Sequence, residues 1–131
     1  MKRFLCLAVA LGAFCVLIAG ASAAKDDYVN YDKRLPGFGA HITLVQSTKK
    51  SDTSHAINSP GNCDVKFICW IDAYISKTWL PMTSNYTAYS NKSILMLYQE
   101  AIPRDGTPVR LRSQAVSIFG GERVVGEIDF R

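Results

Sequence analysis

Hydrophobic and polar residues alternate along much of the chain in short runs, and this pattern predicts β-strands rather than long helices. The densest apolar stretch after the N-terminal segment is residues 64–76 (DVKFICWIDAYIS), which alternates between two faces from Trp70 onward. Residues 41–48 (HITLVQST) read as a strand rich in β-branched side chains. Residues 94–102 (ILMLYQEAI) suit a strand, although they include helix formers. We therefore predict an all-β fold with at most a minor helix, either a small antiparallel β-sandwich or a barrel.

The clearest turn signal lies near the C-terminal end of the chain. Gly120-Gly121 stands between residues 109–119 and residues 122–130, and such a pair between two strand-like runs is typical of a two-residue hairpin turn. With these glycines as the loop, Arg112 lies opposite Asp129, which pairs opposite charges across the two strands. The sequence therefore predicts a C-terminal β-hairpin.

The first 24 residues have the pattern of a cleavable secretory signal peptide. Lys2 and Arg3 precede an apolar run over residues 4–18, and Ala21-Ser22-Ala23 supplies the small side chains that signal peptidases recognise. A transmembrane anchor is the alternative, because the apolar run is about as long as a bilayer requires. The small residues, followed at once by charged ones, favour cleavage. We therefore expect an exported protein, either extracellular or periplasmic.

Signal cleavage divides the chain into a signal peptide (residues 1–24), a polar N-terminal arm (residues 25–40) and a single β-rich domain (residues 41–131). The arm contains Pro36 and two glycines, so we expect it to be extended or loosely ordered. The mature chain has 107 of the 131 residues, and its formal charge falls from +4 to +2 because the signal carries two basic residues. This overall charge is too low to predict a nucleic-acid partner or an anionic membrane. No later stretch is long and apolar enough for stable membrane insertion.

Two of the four cysteines, Cys63 and Cys69, remain after cleavage, and an oxidising compartment favours one disulfide between them. Six residue steps along a strand span roughly 20 Å, far more than a disulfide allows, so residues 64–68 would have to turn back. A catalytic redox pair has Cys-x-x-Cys spacing, which is absent. Zinc-type spacing of cysteines and histidines is absent as well, so we expect no metal and no cofactor.

The sequence has two histidines, His41 and His55, and each is a candidate acid or base for a small hydrolase or nuclease, together with Glu100 or an arginine. The spacing does not favour catalysis. We expect His41 to be a surface residue at the start of a strand and His55 to lie in the polar loop of residues 49–62. No Gly-x-Ser-x-Gly motif and no glycine-rich phosphate loop occurs, so we predict a protein that is not an enzyme.

Aromatic residues are concentrated between positions 70 and 98. Trp79, Tyr86 and Tyr89 stand in polar sequence, so they are candidate binding residues for a sugar ring or a protein partner. Trp70 and Tyr74 are expected on one inner face of the sandwich. Asn85-Tyr86-Thr87 and Asn91-Lys92-Ser93 are glycosylation sequons that would be used only in a eukaryotic source.

These observations leave three functional hypotheses. The first is a small secreted or periplasmic binding protein, which acts either as an inhibitor or immunity-type partner of another protein or as a binder of a ligand or carbohydrate. The second is a surface-assembly or structural subunit in which residues 25–40 donate a strand to a neighbour. The third is a small secreted hydrolase or nuclease that uses His41 or His55. The first is favoured because no catalytic motif is present, and its partner is expected to be a protein or a glycan.

Overall fold

The computed structural model describes residues 27–99, 101–116 and 118–131. Over these residues the chain forms nine β-strands and no helix. In chain order they are β1 (Tyr28–Arg34), β2 (His41–Thr48), β3 (His55–Pro60), β4 (Phe67–Ile75), β5 (Thr78–Pro81), β6 (Tyr86–Ala88), β7 (Ile94–Leu97), β8 (Pro108–Ala115) and β9 (Arg123–Asp129). The predicted signal peptide lies outside the described residues. Within the described ranges, no helix has the length and hydropathy needed to cross a membrane.

The strands form two antiparallel sheets, which confirms the predicted all-β class and its sandwich variant. One sheet has four strands in the order β1-β9-β3-β7. The other has five strands, with the order β2-β8-β4-β5. The fifth strand, β6, pairs with the first residues of β4, whereas β5 pairs with its last residues. The core between the sheets consists mainly of the inward residues of β3, β4, β8 and β9.

Strand β4 is the central element of the five-stranded sheet. Its inward side chains are fully buried: Phe67, Cys69, Ile71 and Ala73. The intervening residues point to the outer face of the same sheet, where Trp70 and Asp72 are nevertheless buried. Residues that alternate between two faces normally alternate between core and solvent, so this double burial means that other side chains cover the outer face of β4.

The predicted C-terminal hairpin is wrong. Strand β8 pairs with β2 and β4, whereas β9 pairs with β1 and β3 in the other sheet. The chain therefore crosses between the sheets at Gly120 and Gly121 instead of turning back on itself. Gly120 allows a close approach to Gly37, whose backbone nitrogen would lie 2.7 Å from a Cβ at position 120. Gly120 thus provides tight backbone packing between two loops, whereas Gly121 provides a backbone φ of 100°.

The polar arm predicted over residues 25–40 belongs in large part to the sandwich. Residues 28–34 pair with β9 along their whole length as strand β1. Tyr31 is buried, and its hydroxyl donates a hydrogen bond of 3.0 Å to Asn58 Oδ1. The Tyr31 ring lies over Gly126, where a Cβ would come within 2.5 Å of the hydroxyl oxygen. The strand was not recognised because its outward residues are polar and only one inward residue reaches the core.

The predicted disulfide is not formed, and Cys63 and Cys69 are free thiols. Cys69 lies in the core on β4, where burial raises the pKa of its thiol to about 12. Its sulfur accepts a hydrogen bond of 3.6 Å from Asn58 Nδ2. Cys63 instead contacts the four-stranded sheet, since its thiol donates to the carbonyl oxygen of Val125 at 3.3 Å. The two sulfurs therefore have separate partners.

The two free thiols should be open to alkylation to different degrees in the folded and the unfolded protein. With iodoacetamide at pH 8 and no reductant, we expect Cys69 of the folded protein to stay unmodified, because it is buried and protonated. In urea without reductant, both Cys63 and Cys69 should be alkylated. Peptide mass spectrometry measures both states. Protection of both cysteines in urea until a reductant is added would show that a disulfide exists after all.

Lys49 is a fully buried lysine that joins three parts of the chain. Its ammonium group donates to the carbonyl oxygens of Ser51 (2.9 Å) and Thr53 (2.8 Å), and also to the main-chain oxygen of Arg131. The ammonium also lies 4.7 Å from the centre of the Tyr98 ring. Burial lowers the pKa of Lys49, so the cation depends on these acceptors to replace its hydration.

We expect Lys49→Met to lower the free energy of unfolding by about 2–3 kcal/mol, because the apolar stem is kept while three main-chain oxygen atoms lose a charged donor. Urea unfolding measures the change. The matched control is Lys50→Met, since Lys50 is the exposed neighbour and its loss should change the free energy by less than about 0.5 kcal/mol. Equal effects of the two substitutions would contradict a structural role for the Lys49 ammonium.

Candidate functional site

A cleft of about 320 Å³ lies on the outer face of the five-stranded sheet. It is formed where outward side chains of four adjacent strands meet a residue of the loop after β5. Its lining consists of His41, Trp70, Asp72, Trp79, Pro81, Asn85, Arg112 and Gln114. The strand register explains their proximity, because Trp70 pairs with Arg112 and Asp72 pairs with Pro81. We call this site the outer cleft.

A buried carboxylate organises the charges of the outer cleft. Arg110 Nε donates to Asp72 Oδ2 at 3.0 Å, and Arg110 Nη2 lies 2.9 Å from the same oxygen. Arg112 Nε is 3.8 Å from this oxygen, and Arg112 Nη1 donates to Thr43 Oγ1 at 2.8 Å. Two guanidinium groups thus share one carboxylate, which leaves an excess of one positive charge in this cluster. Arg110 and Arg112 are two residues apart on β8, so both point to the outer face.

Aromatic rings form the walls of the outer cleft. The Arg110 guanidinium lies 4.3 Å from the centre of a Trp79 ring, within the range of a cation–π contact. Tyr74 packs against Trp79 with ring centres 5.2 Å apart. On the other side of the cleft, the His41 ring meets Trp70 edge to face at 4.9 Å. These contacts hold both indoles in fixed positions on the outer face of the sheet.

The three aromatic residues predicted to bind a partner do not form one surface. Trp79 lines the outer cleft. Tyr86 is half-buried, and its hydroxyl accepts a hydrogen bond of 3.0 Å from the Leu97 N–H group. Tyr89 is exposed near Lys92, at the end of β4 away from Trp79. On β4, Phe67 pairs with Ala88, the neighbour of Tyr89, and Tyr74 pairs with Trp79. These two positions of β4 are seven residues apart, or about 23 Å at the usual rise of a strand.

The expectation that Trp70 and Tyr74 lie on an inner face is wrong. Both point to the outer face, since the inner face of β4 carries Phe67 and Ile71. Trp70 is only 9% exposed because neighbouring outward side chains surround it, whereas Tyr74 is 41% exposed. Both faces of β4 carry large apolar residues, so alternation alone does not show which face is inside.

Sequence reasoning missed Asp72, Arg110, Arg112 and Gln114 as site residues. A signal was present in each strand: a lone carboxylate within the densest apolar run, and basic residues at alternate positions of a second strand. Only the pairing of β4 with β8 shows that they face one another. Asp72 and Arg110, which this pairing brings together, are 38 positions apart in the sequence.

The two histidines lie in different sheets. His41 is the exposed first residue of β2, as predicted, and it lines the outer cleft. His55 begins β3 in the four-stranded sheet, where a loop position was expected, and it pairs with Leu97. Glu100 lies outside the described residues. Among the described residues, no group of three His, Cys, Asp or Glu side chains could hold a metal ion.

The two sequon asparagines occupy different surroundings. Asn85 lines the outer cleft. Asn91 lies in a turn with a φ of 58°, and its N–H group donates to the Gly61 carbonyl oxygen at 3.0 Å. A left-handed backbone is well tolerated by asparagine, so the turn itself explains this residue.

Comparison with known proteins gives little information about this chain. No family model matches it, and no curated protein matches it. A structure of infectious bursal disease virus, Gx strain, matches with a TM-score of 0.39 and 13% identity over 78% of this chain. A structure of the Gt strain matches with a TM-score of 0.38 and 15% identity over the same share. The chain spans 30% of each of those chains, and a similarity this low carries no conclusion.

The Asp72 cluster predicts a stability effect. We expect Asp72→Asn to lower the free energy of unfolding by about 2 kcal/mol, because two partly buried guanidinium groups lose their counter-ion. The Trp79 environment should change too, which tryptophan fluorescence can report. Asp32→Asn is the control, since Asp32 forms an exposed pair with Arg123 and its removal should have little effect. A similar loss in both variants would contradict the organising role of Asp72.

Proposed function

We propose that this protein is a small secreted binding protein without catalytic activity, and that its outer cleft receives a glycan. The observation that carries the proposal is the arrangement of Trp70 and Trp79 around fixed polar groups in one solvent-facing cleft. An indole on the outer face of a sheet, held by neighbouring rings, is a platform whose apolar face suits the C–H face of a sugar ring.

The polar lining supports a ligand rich in hydroxyl groups. Asn85 and Gln114 each offer both donors and an acceptor, while Arg112 offers donors only. A hydroxyl group also donates and accepts, so it can satisfy groups of both kinds at once. The cleft volume of about 320 Å³ lies at the small end of ligand sites. A short saccharide or the end of a longer chain would fit such a site.

The rigidity of the cleft also supports binding. The Asp72 carboxylate accepts a hydrogen bond from Arg110, and the Arg110 guanidinium packs against the Trp79 ring. Thr43 accepts a hydrogen bond of 2.8 Å from Arg112. Side chains fixed before the ligand arrives lose less conformational entropy on binding, so affinity is higher for the same contacts.

Two alternatives have less support. For strand donation, β1 is already paired with β9 inside the sandwich, and its removal would take the buried Tyr31 out of the core. For a hydrolase or nuclease, the two histidines lie in separate sheets, and the ring of His41 is packed against Trp70. A protein partner of the inhibitor or immunity type remains an outcome of the experiment below.

The experiment screens the protein, expressed from the full sequence and purified after export, against an array of neutral and acidic oligosaccharides. Isothermal titration calorimetry then measures the best ligand. We expect Trp79→Ala to weaken binding at least tenfold, because the stacking surface is lost. Asn85→Ala should weaken it less, and Tyr89→Ala, an exposed aromatic far from the cleft, should not change it. Urea unfolding of each variant separates lost binding from lost folding.

Three results would contradict the proposal. Binding that is equally sensitive to Tyr89→Ala and Trp79→Ala would place the site elsewhere. Cleavage of the bound oligosaccharide, abolished by His41→Ala, would make the protein an enzyme. Absence of any glycan ligand, together with a purified protein partner whose binding depends on Trp79, would replace the glycan with a protein.

A further inference from the structure

The two arginines beside the outer cleft do not share the Asp72 carboxylate equally. Arg110 makes two contacts with Asp72 Oδ2, at 3.0 Å and 2.9 Å, and its guanidinium also packs on Trp79. Arg112 Nε lies 3.8 Å from the same oxygen, which is beyond hydrogen-bond distance. Asp72 is therefore mainly the counter-ion of Arg110, and the excess positive charge of the cluster lies mainly on Arg112.

The Arg112 guanidinium keeps free donors at the cleft. Its Nη1 donates to Thr43 Oγ1 at 2.8 Å, and this is the one hydrogen bond that the described residues make with its side chain. A guanidinium has five N–H donors, and a bond to a neutral hydroxyl orients the group without neutralising it. The Arg112 side chain is 20% exposed and lines the cleft, so its remaining donors are within reach of a ligand.

The charged residues around Arg112 are mostly basic. In β2, β4, β5, β6 and β8, all of which the structure describes, the residues with a formal charge are Asp72, Arg110 and Arg112. The turn between β4 and β5 adds the exposed Lys77, and residues 82–85, which include the cleft residue Asn85, add no charge. These described segments thus contain one carboxylate and three basic groups.

We propose, resting on the glycan-binding function proposed above, that the outer cleft receives an acidic oligosaccharide and that a uronic acid carboxylate pairs with Arg112. A carboxylate has two oxygen atoms in one plane, which match two parallel N–H groups of a guanidinium. A neutral glycan would accept hydrogen bonds from Arg112 but would leave its positive charge without a counter-ion. A sugar ring of the same oligosaccharide would lie against Trp79, as in the glycan proposal.

The test uses tetrasaccharides of galacturonic, glucuronic and mannuronic acid, each paired with its carboxyl-reduced form, in which hydroxymethyl groups replace the carboxylates. Isothermal titration calorimetry measures both members of each pair on the protein expressed from the full sequence and purified after export. We expect at least one acid to bind at least about tenfold more tightly than its reduced form, because a charge pair in a partly buried site is lost. Raised salt should weaken binding of the acid and leave the reduced form unchanged.

Variants assign the preference for the acid to Arg112. Arg112→Gln should abolish the preference, so that the acid and its reduced form bind equally. Arg112→Lys keeps the positive charge but loses the planar pair of donors, so it should retain only part of the preference. Trp79→Ala should weaken both members of the pair by the same factor. The matched control is Lys33→Gln, which removes one exposed basic charge from β1 in the other sheet and should leave the preference unchanged.

The outcomes separate this inference from the glycan proposal. The acidic ligand is overturned, and the glycan function stands, if reduced forms bind as tightly as the acids with the same dependence on Trp79. The same conclusion follows if a neutral glycan binds the cleft and no uronic acid does. A preference that survives Arg112→Gln overturns the pairing with Arg112. Absence of any glycan ligand overturns both proposals, and urea unfolding checks that every variant is folded.

Discussion

The ion pair between Asp72 and Arg110 is the interaction on which the outer face of the five-stranded sheet depends. Asp72 lies in the middle of the most apolar strand, and it is 6% exposed, so its carboxylate needs a counter-ion in place of water. Arg110 meets that need from the neighbouring strand and at the same time covers Trp79. One charged contact therefore joins β8, β4 and the short strand β5. It also converts a flat sheet face into a cleft with two indoles in its wall.

The same strand shows how far sequence reasoning can go. The alternation after Trp70 correctly predicts a strand, because side-chain direction in a strand depends only on position along the chain. Which face is inside depends on the second sheet, and its residues are distant in sequence. The hairpin prediction failed for a related reason. Gly120 and Gly121 do mark a sharp change of direction, but the partners of the flanking strands are β2 and β4 on one side, and β1 and β3 on the other.

The candidate site was only partly predictable, because some of its residue types stand out in sequence and others take their role from a residue on another strand. Trp79 stood out because an aromatic residue among polar neighbours is conspicuous in sequence. Arg110 and Arg112 did not, because alternate arginines on a strand usually face water. Their role arises from a carboxylate on another strand. For the cysteines, the sequence suggested a feature that the structure does not have. An even number of cysteines in an exported chain suggests a disulfide, whereas the fold gives each sulfur its own partner.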